Sequence, residues 1–153
     1  VDDLNSIIEE LQEKNIVLIG NSFGASVAIK YVAKYPGKVS KLVLMCGTPK
    51  IISTDDFPHG LSLEIQHRWQ TSLQESYSRG VRAFMEVAFP EPGTGYLKDL
   101  GFKLCQKTPE EIAMNSANNF MKEDLRPLLE KINIPTLILH GENDMLCPLE
   151  GAK

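Results

Sequence analysis

Apolar positions along the 153 residues follow two periodicities, and the switch between them divides the chain. Leu4, Ile7, Ile8 and Leu11 recur at i, i+3, i+4 and i+7, which predicts a helix with Asp2 and Asp3 at its positive N-terminal end. Ile16-Val17-Leu18-Ile19 is a short, β-branched, unbroken apolar run, the pattern of a strand buried on both faces. Gly20-Asn21-Ser22-Phe23-Gly24 follows. Val27, Ala28, Tyr31, Val32 and Tyr35 then fall in helical register until Pro36-Gly37. A second apolar run, Leu42 to Cys46, stops at Gly47-Thr48-Pro49. Residues 15–46 therefore read strand, turn, helix, strand, a βαβ unit of parallel strands.

From 49 to 133 strand-like runs vanish. Leu61, Ile65, Trp69, Leu73 and Tyr77 recur at every fourth residue, and Val81, Phe84, Met85 and Ala88 repeat the helical spacing. Asp55-Asp56 reads as a helix-initiating pair. Thr108-Pro109-Glu110-Glu111 reads as a capping box with proline at the first helical position. Pro58, Gly80, Pro90, Pro92 and Gly93 punctuate this all-helical insertion. Ile134 to Leu139 restores a strand, which runs out into His140-Gly141-Glu142-Asn143-Asp144. The predicted fold class is α/β: parallel strands with flanking helices, residues 1–48 and 124–153 forming a core and 49–123 a helical domain inserted between two strands.

The chemistry starts at residues 20–24, which read G-x-S-x-G between a strand and a helix rich in small residues. That context predicts a nucleophile elbow, a sharp strained turn that projects the Ser22 oxygen clear of the sheet. Gly20 and Gly24 are expected to remove side chains that would clash where strand and helix cross. The helix N-terminus behind Ser22 favours a developing oxyanion, with the Phe23 N–H as first donor. Neither a P-loop nor a dinucleotide fingerprint fits, because no lysine follows Gly24 and the second glycine of G-x-G-x-x-G is absent. Asp144 follows the strand at 137–139, where α/β proteins place catalytic groups, and a carboxylate there can orient a histidine. Ser before Asp fits the chain order Ser, Asp/Glu, His. The three histidines are His59, His67 and His140. The first two fall in the insertion, His140 lies on the acid's own strand, and none follows Asp144. The base is expected beyond Lys153, and both ends read as truncated.

A net charge of −4 with scattered Lys and Arg argues against nucleic acid as a partner. No apolar run approaches the ~18 residues of a membrane span. Three cysteines, Cys46, Cys105 and Cys147, show no metal-ligand spacing, and an odd, sparse set suits reduced thiols in the cytoplasm. Cys46 and Cys147 lie past strand ends and read as small buried hydrophobes. No metal or organic cofactor is implied.

Together, Val17 to Gly24, Tyr35-Pro36-Gly37-Lys38-Val39 leading into Leu42-Val43-Leu44, and Ile134 to Asp144 with Pro148 resemble the α/β-hydrolase superfamily. The resemblance implies a partial α/β-hydrolase fold whose three strands are neighbours. It implies Ser22 as nucleophile, Asp144 as acid, Phe23 as oxyanion donor, and the insertion as a helical cap over the active site. Thr48-Pro49-Lys50, Asp55-Asp56-Phe57-Pro58, Arg79, Phe84 and Asp124-Leu125-Arg126 are similar to the carboxylesterases that cleave pimeloyl-acyl carrier protein methyl ester. That likeness implies an ester substrate carried on acyl carrier protein, Arg79 and Arg82 as partner-binding residues, and Phe84 in the pocket. Phe23 and Trp69 are further candidates for substrate binding.

Asn21, where that branch usually has Trp, points instead to carbon–carbon bond hydrolases, and Ala25 replaces a common glycine. The leading reading is a serine hydrolase of carboxylic esters or thioesters. A carbon–carbon or lactone hydrolase, a non-catalytic ligand receptor and an inactive fragment are the alternatives. Residues 1–153 alone are expected to fold poorly and hydrolyse nothing, since the base is missing and a sheet edge is open.

Overall fold

Strand β1 (Val17–Asn21) is the first of three parallel strands in the order β1-β2-β3, with β2 spanning Lys41–Met45 and β3 Thr136–Leu139. The computed structural model describes residues 1–153. The chain divides into two units, one of residues 1–51 and 123–153, the other of residues 52–122. No helix is long and apolar enough to cross a membrane.

In the first unit, α1 (Asp2–Leu11) precedes β1, and α2 (Phe23–Lys34) connects β1 to β2. The chain returns through the short α7 (Arg126–Leu129) before β3 and ends in a 3₁₀ turn at Leu149–Gly151. Ile8 of α1 and Ala28, Tyr31 and Val32 of α2 pack with Val39 and Leu42 into one buried cluster, joined by Leu18, Leu44, Ile132 and Ile134. Leu42 is 1% exposed, and truncating such a side chain to Ala costs about 2–5 kcal/mol. Asp2 in the first turn of α1 also anchors it, accepting from Lys34 at 2.5 Å and from the Tyr35 hydroxyl at 2.7 Å.

The expectation that the strand at 16–19 is buried on both faces is corrected. Leu18 and Gly20 turn toward α2, while Val17 and Ile19 are 48% and 61% exposed, and all four residues of β3 are exposed. The reason is topological. Helices α1 and α2 pack against β1 and β2 on the face that carries Leu18 and Leu44, with α7 beside α2, and β3 lies outside that cluster; a doubly covered sheet needs helices on both faces.

The passages between units are fastened within the first one. Lys50 and Asp124 form an isolated antiparallel bridge, and the Leu125 N–H donates to the Pro49 carbonyl at 2.8 Å. Asp124 accepts from Arg126 at 2.6 and 2.9 Å and pairs with Lys50 at 3.3 Å. The Arg126 guanidinium, aided by Lys50, holds the Asp124 carboxyl well below the usual carboxylate range. Glu123 pairs with Lys30 of α2.

The second unit is helical: α3 (Leu63–Glu75), α4 (Tyr77–Ala88), α5 (Gly95–Cys105) and α6 (Glu110–Lys122). The stripe from Leu61 to Tyr77 is not one helix. Ser76 adopts extended backbone (φ −162°, ψ 106°), ends α3, and caps α4 by accepting from the Arg79 N–H at 3.4 Å. Gly80 does not punctuate. It lies inside α4, where an added Cβ would stand 2.6 Å from Leu73 Cδ2 and 2.9 Å from Leu73 Cα, so it lets α3 and α4 approach closely. Asp55-Asp56 does not start a helix either. The pair occupies a turn closed by mutual Thr54 and Phe57 backbone bonds of 3.0 and 2.9 Å, and α3 begins at Leu63 behind the Ser62 cap. Helix α6 begins one residue after Pro109, whose carbonyl takes the Ala113 N–H at 3.0 Å.

Candidate active site

A single residue separates β1 from α2. Ser22 therefore makes the whole turn from extended to helical backbone, at φ 51° and ψ −119°. A non-glycine residue held there stores roughly 1–3 kcal/mol of strain, which persists only where the surroundings over-determine it. Here the Ser22 N–H donates to the Met45 carbonyl of β2 at 2.8 Å, and the Ser22 carbonyl accepts from the Ala25 N–H at 2.8 Å. Close approach does the rest. A Cβ on Gly20 would stand 2.4 Å from the Gly24 carbonyl oxygen and 2.7 Å from Ala25 Cα. A Cβ on Gly47 would stand 2.5 Å from the Ala25 Cβ.

The expectation for Gly24 is corrected: a Cβ there would meet nothing within 4 Å. The crossing is tight because the Gly24 backbone oxygen, not a substituent on its Cα, faces Gly20. Gly47, which sequence reasoning treated as a strand terminator, holds the position that the close contact needs.

Phe23 opens α2, so its N–H lies at the helix end where peptide dipoles converge on negative charge. Its side chain is 44% exposed. The strands end in register, Asn21 opposite Met45 and Met45 opposite Leu139. Ser22 thus stands one residue past the carboxyl end of β1, and Asp144 sits in the loop that follows β3. One strand lies between them, which separates the ends of β1 and β3 by about 10 Å, twice the inter-strand spacing.

The loop that carries Asp144 is built around its carboxylate. Oδ1 accepts from the backbone N–H of Leu146 at 2.9 Å and of Cys147 at 2.8 Å, and the Asp144 N–H donates to the Gly141 carbonyl at 3.3 Å. Oδ2 lies 3.5 Å from Nε2 of His140, whose side chain is almost wholly buried. That Nε2 also stands 2.6 Å from the Cys147 carbonyl. The orphaned buried atom of the loop is Nδ1 of His140, which has no hydrogen-bond partner.

The middle strand ends on a second non-glycine residue of positive φ, Cys46 at 47°, whose N–H donates to the Leu139 carbonyl at 2.9 Å. Burial, then the Asp144 charge and Cys46, push the Cys147 thiol up to about 12, so it stays protonated. No cluster of three or more His, Cys, Asp or Glu side chains is arranged to hold a metal.

The other candidates belong to the second unit. Trp69 and Phe84 stack at 5.7 Å between ring centroids and border the buried Leu73, Val81 and Met85. The Trp69 indole N–H is buried without a protein acceptor. Arg79 and Arg82 lie on the exposed side of α4, and the Arg82 guanidinium sits 3.9 Å from the centre of the Phe102 ring. His59 meets Phe57 edge-on, and His67 is exposed on α3. Sequence reasoning gave His140 no role. Its signal was faint: a histidine four residues before the candidate acid, with no periodicity to show that the loop folds back over it.

Comparison with known proteins identifies the family. The family model described as Hydrolase_4, serine aminopeptidase, S33, matches residues 1–153. The bifunctional esterase/perhydrolase DCH of Acinetobacter calcoaceticus is 30% identical over 97% of this chain and 57% of its own length. The pimeloyl-[acyl-carrier protein] methyl ester esterase of Nitrosospira multiformis is 26% identical over 99% of this chain and 59% of its own. The solved esterase EaEST of Exiguobacterium antarcticum superposes with a TM-score of 0.91 at 30% identity, covering 98% of this chain and 57% of that one. The chain thus spans less than two thirds of the length of these proteins. It belongs to the matched family and to the α/β-hydrolase superfamily.

Proposed function

We propose that the protein carrying these residues is a serine hydrolase of carboxylic esters or thioesters, working through an acyl-enzyme on Ser22. The observation that carries this reading is the strained Ser22 turn at the same sheet edge as the Asp144 loop. Esterase relatives support the substrate class. In the reaction, Ser22 Oγ attacks the acyl carbon and its proton passes to an imidazole. The carbonyl electrons move onto an oxyanion that the Phe23 N–H stabilises at the helix N-terminus. The tetrahedral species collapses, the imidazole returns the proton to the departing alkoxide or thiolate, and the alcohol or thiol leaves. Water then attacks the acyl-enzyme by the same route, releasing the acid and restoring Ser22. Asp144 holds the imidazole tautomer and stabilises its cation through Oδ2, since Oδ1 is occupied by backbone N–H groups.

The imidazole is assigned to a histidine outside residues 1–153, following the chain order Ser, Asp, His. Residues 1–153 by themselves are expected to turn over no ester. Phe23, beside the nucleophile and partly exposed, is assigned to the acyl group; Trp69 and Phe84 stay candidates within the helical unit. The likeness to a pimeloyl-acyl carrier protein esterase supports an acidic carrier protein as the bearer of the substrate, met by Arg79 and Arg82. Three free cysteines support a reducing, cytoplasmic setting.

The test uses the full-length protein with a fluorophosphonate probe and short esters. Labelling and multiple turnover, with Ser22→Ala abolishing the label and lowering kcat by about 10⁴-fold or more, support the reading. Turnover unaffected by Ser22→Ala ends it. Tight ligand binding with a single turnover points to a receptor instead. Arg79→Glu is expected to raise KM for a carrier-bound ester and leave a free methyl ester unchanged.

A further inference from the structure

We infer that His140 is a positioning residue for Asp144, clamping the acid-bearing loop to the end of β3 through an Nε2–H tautomer. The inference deepens the serine-hydrolase reading and rests on it for its kinetic consequences, though not for its geometry. The Cys147 carbonyl can only accept, so at 2.6 Å it requires the proton on Nε2 of His140. Nδ1 then carries the lone pair, and it is the ring atom left buried without a partner. A base needs a lone pair within reach of the serine proton; here the Nε2 proton faces Cys147 and the acid itself.

The clamp acts at the residue that matters. The amide N–H of Cys147 donates to Asp144 Oδ1 at 2.8 Å, while its carbonyl accepts from His140. Both sides of one peptide segment are thereby fixed, one to the acid and one to the strand end. His140 Nε2–H also lies 3.5 Å from Asp144 Oδ2. That distance is too long for a strong bond, yet it directs positive dipole at the oxygen that Oδ1's backbone partners leave available. With the His140 side chain 2% exposed, water does not replace this donor easily. Its loss leaves the Cys147 carbonyl short of a partner and frees the loop to shift. A 1 Å misplacement of a catalytic group costs on the order of 10²-fold in rate.

The experiment compares His140 variants in the full-length protein. Gln carries an amide N–H to about the reach of Nε2; Leu fills the volume without a donor; Asn is too short to reach the carbonyl and stands in for Leu should Leu fail to fold. His140→Gln is expected to keep kcat within a few-fold of the parent. His140→Leu and His140→Asn are expected to lose about 10²-fold in kcat with KM little changed. Nitrogen-15 imidazole spectra of the Ser22→Ala protein, where no turnover is needed, are expected to show the His140 proton on Nε2. Parental kcat in the Leu or Asn variant, an equal loss in the Gln variant, or a proton on Nδ1 overturns the clamp. Failure of the underlying reading has a different signature: turnover that survives Ser22→Ala, while the imidazole spectrum still decides whether the loop is clamped.

Discussion

The sheet-bearing unit and the helical unit use glycine and strain in different ways. In the first, Gly20 meets backbone, and Gly47 comes close only to the short Ala25 Cβ. Gly20 lies against the Gly24 carbonyl, and Ser22 and Cys46 both take positive φ at the carboxyl ends of adjacent strands. In the second, the close approach at Gly80 is mostly to a side chain, Leu73. Leu73, Val81 and Met85 form its buried cluster, Ile52, Phe57 and Met121 are buried as well, and α5 buries no residue fully. Backbone cannot yield without moving a strand or a helix, whereas a leucine side chain can repack. The first unit therefore confines residue choice to a few positions, and the second asks mainly for an apolar face. The chemistry proposed for Ser22 belongs to the unit whose strands and helix meet through backbone contacts.

Substitutions at these contacts break or sharpen that comparison, each read by urea unfolding of the full-length protein. Gly20→Ala is expected to cost the most, about 3 kcal/mol, and to slow fluorophosphonate labelling of Ser22, because the added methyl strikes a carbonyl oxygen. Gly80→Ala is expected to cost about 1–2 kcal/mol, since Leu73 Cδ2 can turn aside but its Cα cannot. Equal losses at the two sites would erase the distinction.

Asp124→Asn is expected to cost about 1 kcal/mol at neutral pH, solvent screening keeping the effect small at a half-buried carboxylate. The folded-state pKa of Asp124 is depressed, foremost by Arg126. The stabilisation is therefore complete above the unfolded aspartate value of about 3.9, and it fades as pH falls below that toward the folded value. The difference between parent and variant should shrink over that acidic range and be flat above it. Gly24→Ala is the smallest effect: no loss, and a gain of up to about 0.5–1 kcal/mol from helix propensity, because its Cβ enters open space. A large loss there would restore Gly24 to the crossing contact.

Sequence by itself determined the local pieces. Apolar runs marked all three strands, helical spacing marked α1 and α2, and Gly-Asn-Ser-Phe-Gly between strand and helix marked the turn at Ser22. The neighbouring order of the strands followed from the resemblance and is the order in the sheet. These features are legible because a strand or helix writes its period into adjacent residues.

Tertiary structure decided what depends on residues far apart in the chain or on backbone direction. It brought the carboxyl ends of β1 and β3 to one edge, separated by β2. It assigned the steric need to Gly20 and Gly47 rather than Gly24. It left Val17, Ile19 and all of β3 uncovered within these residues, broke the Leu61–Tyr77 stripe at Ser76, and put Asp55-Asp56 in a turn. It also buried His140 against the Cys147 carbonyl. None of these has a period to read, because each depends on which atoms the fold brings within a few ångströms of one another.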